Sequence, residues 1–283
     1  MAEWSETYRG IVKAWECDVF DHLTIAYYFE HYEDAAAIVL ERLAGGLHAA
    51  AATTGLYVRH LREFRAGDSL HIMSAPIAVS EGTLTIGHKI FDSANGDLAA
   101  TVEQSVALAG AHHGEASVAT VAWDGPQREI RPAPAGEEGF VPSGRSIVKG
   151  WEVGGSGRLG WQHLIHRFSG AGLHACNAFG MTAQYLRDNR RGYSTFELDL
   201  ELKSLPRAGD HLVLKSGILQ IGKSSIRLHH RMTDARTGAL VASLGQFGVH
   251  FDMDQRRPAP LPDGLREAAL RLVASNSEFR SDG

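Results

Sequence analysis

Gly10-Ile11-Val12-Lys13-Ala14-Trp15-Glu16 returns as Ser146-Ile147-Val148-Lys149-Gly150-Trp151-Glu152, at an offset of 147 − 11 = 136. Further on, Arg65-Ala66-Gly67-Asp68 with Leu70 returns as Arg207-Ala208-Gly209-Asp210 with Leu212, at an offset of 207 − 65 = 142. Asp92, Gly96, Leu98, Ala100 and Gln104 return at the same spacing as Asp234, Gly238, Leu240, Ala242 and Gln246. Two blocks that hold register at two constant offsets mark a duplicated domain with a small insertion, because composition bias does not keep a spacing over such distances. After the first Trp-Glu stands Cys17-Asp18-Val19-Phe20-Asp21-His22, and after the second Val153-Gly154-Gly155-Ser156-Gly157-Arg158. One copy carries acid and imidazole where the other has neither.

A chain of 283 residues exceeds the usual ~100–150-residue domain and suits two domains of about half that length. Hydrophobic content of 44% with 22% charged residues is ordinary for a globular protein, so each half can bury a core. Neither end carries the ~18 or more apolar residues needed to span a bilayer, and the N-terminus lacks a basic-then-apolar leader, so no membrane partner is expected. Cys17 and Cys176 align by neither offset, which argues against a disulfide framework and predicts a reducing, cytoplasmic location. A net charge of −5 without a basic stripe argues against nucleic acid as a partner.

Residues 7–16 alternate as a strand. From Thr24 to Leu43 the period becomes helical, with Tyr28, Tyr32, Ala35, Val39 and Leu43 on one stripe and Glu30, Asp34 and Glu41 opposite. Adding 136 gives Leu164, Phe168, Ala171, Ala175 and Phe179, so the second copy keeps the stripe. Gly45-Gly46 reads as the first helix's stop. Strands are predicted near 56–64, 69–80, 82–92 and 97–109, then near 194–204, 210–220, 224–234 and 239–251. Glu81-Gly82, Asn95-Gly96 and Thr237-Gly238 serve as turns, which makes the pairing antiparallel. Each repeat is strand, long helix, then a meander, and a sheet of that length buries a helix only by curling around it. The predicted class is therefore α+β: two tandem hot-dog domains, each a long helix wrapped by a curved antiparallel sheet. The expected division is 1–125 for the first domain, 126–143 for a linker, 144–264 for the second domain and 265–283 for a C-terminal tail. A short helix is expected after Pro262 and fraying from Ser275 to Gly283.

The stretch Asp18-Val19-Phe20-Asp21-His22-Leu23-Thr24-Ile25-Ala26-Tyr27-Tyr28, followed by Tyr32-Glu33, resembles the Asp-x-x-Gly-His-Val-Asn-Asn-x-x-Tyr…Phe-Glu signature of 4-hydroxybenzoyl-CoA-type hot-dog thioesterases. Asp18, His22 and Tyr28 match; Asp21 stands for the glycine and Thr24-Ile25 for Asn-Asn. The likeness covers both halves as a fold, but the catalytic pattern covers only the first. His60-Leu61-Arg62-Glu63 with Arg65-Ala66-Gly67-Asp68, and the ending Pro258-Ala259-Pro260-Leu261-Pro262, also look like thioesterases of carnitine and betainyl-CoA breakdown. The resemblance implies hydrolysis of an acyl-CoA thioester, with Asp18 and His22 catalytic and no cofactor.

Thioester hydrolysis needs a carboxylate to attack or to activate water, and donors aimed at the developing oxyanion; a helix start offers unpaired N–H groups and partial positive charge. Asp18 stands just ahead of such a start. Thr24, Tyr27 and Tyr28 at the helix head, Glu63 on the next strand and His163 near the second helix head are candidate substrate contacts. Each has a plainer reading: Asp18 and Asp21 as caps, His22 as a loop hydrogen-bonder, Tyr27, Phe29 and Tyr32 as core, Glu63 as a solvated strand residue. Gly155-x-Gly157-x-x-Gly160 matches a dinucleotide fingerprint, but the helix after it leads to antiparallel hairpins instead of a parallel strand ending in an acid. His163-x-x-His166, His112-His113 and His229-His230 lack the carboxylate or cysteine companions of a zinc site, so no metal is expected. No Gly-x-Ser-x-Gly elbow is present. Two rivals remain open: a non-catalytic acyl-CoA or small-molecule binding protein, and an acyl-ACP thioesterase. Pairing of double hot-dog units into a homo-oligomer is a further expectation.

Overall fold

The computed structural model describes residues 3–44, 51–80, 82–108, 118–129 and 131–273. The chain divides into two compact units, residues 1–129 with 160–165, and residues 130–159 with 166–283. The Gly45-Gly46 stop, Glu81 of the Glu81-Gly82 turn, the His112-His113 pair and the tail from Ser275 lie outside the described residues.

In the first unit, β1 (Ser5–Ile11) leads to α1 (Ile25–Ala44), followed by β2 (Ala51–His60), β3 (Ser69–Ser80), β4 (Thr83–Asp92) and β5 (Leu98–Leu108). The strands pair antiparallel in the order β1-β3-β4-β5-β2. The second repeat follows the same plan with β6 (Val141–Ile147), α2 (Trp161–Asn177), β7 (Arg191–Leu202), β8 (His211–Ile221), β9 (Ser225–Asp234) and β10 (Leu240–Asp252). Its strand order is β6-β8-β9-β10-β7. Each repeat is a hot-dog, as the periodicities predict. The helical stripe is buried in both: Tyr28, Tyr32, Ala35 and Val39 on α1, and Leu164, Phe168, Ala171 and Ala175 on α2. Burying one such large side chain contributes about 1.5–3 kcal/mol, which propensity alone does not approach.

A polar row crosses each sheet within this core. In the first, Thr7 Oγ1 lies 2.6 Å from Ser74 Oγ, Ser74 Oγ 2.7 Å from His88 Nδ1, and His88 Nε2 2.9 Å from Gln104 Oε1. Gln104 Nε2 then donates to Thr53 Oγ1 at 2.7 Å. In the second, Ser143, Ser216, His230, Gln246 and Thr195 make the same contacts at 2.7, 2.6, 3.1 and 2.8 Å. Five strands are thereby tied in one register, because a slip of one residue would orphan every member.

Three segments differ from expectation. The predicted strand 7–16 ends at Ile11, since Ala14–Glu16 form a 3₁₀ turn in which Glu16 accepts from Lys13 N at 2.9 Å and Lys13 Nζ at 2.8 Å. The predicted strand 56–64 lies at 51–60: small, weakly alternating Ala51-Ala52-Thr53 pairs with Val106 to Leu108, and past His60 the N–H groups of Leu61 and Arg62 both donate to Ala99 O, which ends the ladder. A short α3 (Ala183–Asp188), capped by Thr182 Oγ1 on Tyr185 N at 3.1 Å, was not expected. The helix expected after Pro262 is α4 (Asp263–Leu272), which buries Ala269. A two-residue β11 (Arg257–Pro258) adds to β10. Among the described residues no helix is long and apolar enough to cross a membrane.

Candidate active site

The loop before α1 is closed by its own backbone. Cys17 bridges Leu23, Asp18 N donates to His22 O at 2.8 Å, and Asp21 N donates to Asp18 O at 3.0 Å. The loop before α2 is built alike, with Val153 bridging Leu159, Gly154 N on Arg158 O at 2.9 Å and Gly157 N on Gly154 O at 2.9 Å. Asp21 (φ 62°) and Gly157 (φ 68°) take the same left-handed conformation. The two loops share a backbone and differ in side chains: Asp18 against Gly154, His22 against Arg158.

Asp18 is exposed, and its Oδ1 accepts the N–H groups of Phe20 at 2.8 Å and His22 at 3.1 Å. These bonds fix the carboxylate's direction, and they are also the loop-capping role of the plainer reading. Past the loop, Leu23 N donates to Phe64 O at 2.8 Å and Thr24 N to Glu16 O at 2.9 Å, which anchors the head of α1. His22 is largely covered, with 14% of its side chain exposed, and its Nε2 stands 3.3 Å from both Glu63 Oε2 and Arg65 Nη2. A protonated Nε2 donates to Glu63 and a bare one accepts from Arg65, so both forms find a partner. Arg65 Nη1 is also 3.9 Å from Asp21 Oδ2. His22, Glu63, Arg65 and Asp21 thus form one cluster beside the Asp18 loop. Arg65 is not among the candidates that the sequence offers, where Arg65-Ala66-Gly67-Asp68 carries the repeat and a family likeness but no role for the arginine.

The other candidates lie along α1 or apart from it. Tyr28 is buried with its hydroxyl 3.5 Å from Arg62 O, and burial raises its pKa. Tyr27 is half-buried. Thr24 Oγ1 is buried and finds no hydrogen-bond partner. His163 is half-buried on the first turn of α2. In the first unit, which includes residues 160–165, Trp161 N donates to Glu33 Oε2 at 2.8 Å, and burial raises the Glu33 pKa. An open groove of about 460 Å³ between β1 and α1, lined by Tyr8, Arg9, Asp34, Ile38 and Arg42 among others, contains none of the predicted site residues. Among the described residues no cluster of three or more His, Cys, Asp or Glu is arranged to hold a metal ion.

A family profile described as the Thioesterase-like superfamily matches residues 12–136 and 159–269. No curated protein matches the sequence. Among solved structures, the chain resembles an acyl-ACP thioesterase from Bacteroides thetaiotaomicron VPI-5482 (12% identity, 86% of this chain and 96% of that one, TM-score 0.65). It also resembles a 12:0-ACP thioesterase from Umbellularia californica (9% identity, 86% and 93%, TM-score 0.60). A third likeness is to an acyl-CoA thioesterase II from Mycobacterium marinum (13% identity, 91% and 97%, TM-score 0.52). At such identities the likeness is one of fold.

Proposed function

Because the chain belongs to the Thioesterase-like superfamily, we propose that it hydrolyses an acyl-CoA thioester to the free acid and CoA at a site built on Asp18 and His22. The observation that carries this reading is the pair of loops with one backbone: only the first holds a carboxylate and an imidazole ahead of a helix start. Water adds to the thioester carbonyl, the C–S bond breaks, and the departing thiolate takes up a proton. The Asp18 carboxylate either receives the proton of the attacking water or attacks first, giving an anhydride that water then opens; both routes yield the same acid and thiol. The first-turn amides of α1 supply donors for the oxyanion. His22, held between Glu63 and Arg65, is suited to hand a proton to the leaving sulfur. Thr24, Tyr27, Tyr28, Glu63 and His163 serve as substrate contacts. The second loop, with Gly154 and Arg158, is non-catalytic. CoA is preferred to a carrier protein as the thiol because the net charge of −5 comes without a basic stripe for an acidic carrier.

Asp18→Asn tests the assignment, since the amide keeps an oxygen for the Phe20 and His22 N–H groups while removing the base. Thiol release from a panel of acyl-CoAs is expected to fall about 10²–10⁴-fold with the thermal melt unchanged. Undiminished turnover rejects Asp18. Tight acyl-CoA binding by the native protein without thiol release supports the binding-protein reading, and faster cleavage of acyl-ACP than of acyl-CoA replaces the thiol.

A further inference from the structure

Six buried side-chain polar atoms among the described residues have no hydrogen-bond partner, and three of them belong to residues around Tyr28: Tyr32 OH and His60 Nε2, whose rings lie against the Tyr28 ring, and Thr24 Oγ1, four residues ahead of Tyr28 in the chain. Thr24, Tyr28 and Tyr32 stand at four-residue intervals on one face of the α1 region, and helical side chains lean toward the N-terminus, so the Tyr32 hydroxyl reaches back toward Tyr28. The Tyr28 ring centroid is 4.9 Å from that of His60, 6.4 Å from that of Tyr32 and 6.1 Å from that of Phe64. Tyr32 is fully enclosed at 0% exposure, whereas Thr24 and His60 are only partly covered as residues. Burial lowers the His60 pKa to about 4, so the ring is neutral near pH 7.

The duplication supplies an internal control. At the matching positions the second repeat has Gly160 for Thr24, Leu164 for Tyr28, Phe168 for Tyr32 and Leu202 for His60. Phe168 is as fully buried as Tyr32, so the fold accepts this ring without its hydroxyl. Packing therefore does not require these polar atoms, and leaving them unpaired in the interior is destabilising. They occur only in the repeat whose loop carries Asp18 and His22, with Thr24 just ahead of α1, Tyr32 on α1 and His60 at the end of β2.

We propose that the Tyr28 cluster receives an acyl group bearing its own hydrogen-bonding oxygen, a hydroxyl or oxo function, which pairs with Tyr32 OH, His60 Nε2 and Thr24 Oγ1. This rests on the reading of the Asp18 loop as the thioester site and specifies the substrate class of that site. A pocket built to bond an oxygen discriminates against the plain hydrocarbon, because the hydrocarbon leaves the pocket's polar atoms unpaired.

Matched thioesters test it: butyryl-CoA against 3-hydroxybutyryl-CoA and acetoacetyl-CoA, and hexanoyl-CoA against 3-hydroxyhexanoyl-CoA. Wild-type kcat/KM is expected to favour the oxygenated member by about tenfold or more. Tyr32→Phe, the residue that the second repeat carries, is expected to cut that preference ratio at least about fivefold, the loss of one hydrogen bond. Equal kcat/KM across each wild-type pair overturns the proposal, as does a preference ratio that survives Tyr32→Phe. If no thioester is cleaved, the thioesterase reading fails by itself, and calorimetric binding of the same pairs to the native protein decides the pocket. Tighter binding of the oxygenated members supports it; equal or absent binding overturns it.

Discussion

Asp21 holds a backbone conformation that its counterpart Gly157 adopts freely, with φ of 62° and 68°. A Cβ in the left-handed region is strained, though least for Asn and Asp, and the exposed Asp21–Arg65 contact at 3.9 Å returns little of that cost. Asp21→Gly is therefore expected to stabilise the protein by about 0.5–1 kcal/mol, read as a higher urea midpoint at unchanged slope. A lower midpoint would mean that the carboxylate does more for the loop than its geometry indicates. The same position shows what the sequence disclosed and what it did not. Asp18, His22 and Tyr28 stand out in the sequence because they are neighbours in the chain and resemble a family signature, and their roles rest on the proposed function. The structural reason for glycine at position 21 of that signature, a left-handed residue closing the loop, needs dihedral angles. The His22–Glu63–Arg65 cluster joins residues some forty positions apart, and periodicity says nothing about which of two arginines, Arg62 or Arg65, turns toward the histidine.

At the scale of elements, the polar rows make a statement about pH. His88 and His230 lie wholly inside, and burial lowers the pKa of each to about 4, below the ~6.5 of an unfolded chain. The unfolded state thus binds the extra proton first. The stability held by each neutral ring is complete above pH ~6.5 and drains as pH falls toward 4, at about 1.4 kcal/mol per pH unit for each histidine. His230→Gln is expected to cost stability at pH 7 and to flatten the decline between pH 6 and 4.5 by one proton's slope, measured by urea unfolding at several pH values. A wild-type slope in the variant would show that His230 is not held neutral. None of this row was legible: alternation places His88 on a face of its strand but does not reveal that Ser74 and Gln104 on the flanking strands meet its two nitrogens. The helices were legible because a 3.6-residue stripe running from Tyr28 to Leu43 is a strong signal, and it recurs at the repeat offset. The six residues of α3 are too few to show a period, and the small residues opening β2 carry no hydrophobic alternation.

For the whole molecule, the proposed function ties the number of sites to the side chains in which the two repeats differ. The second loop keeps the bridge, the turn bonds and the left-handed residue of the first, so its backbone remains able to precede a helix start. What it lacks is the Asp18 carboxylate, the His22 imidazole and the polar atoms of Thr24, Tyr28, Tyr32 and His60, replaced by Gly154, Arg158, Gly160, Leu164, Phe168 and Leu202. The differences are too many for one substitution to reverse. Adding Gly154→Asp to the Asp18→Asn protein is therefore expected to leave acyl-CoA hydrolysis at the level of Asp18→Asn alone. Calorimetry of Asp18→Asn with an acyl-CoA that the native protein cleaves is expected to give one binding site per chain. Two equivalent sites, or recovery of turnover on adding the second aspartate, would mean that the backbone of the loop and helix start suffices. The side chains set along α1 would then not be what separates a working repeat from its copy.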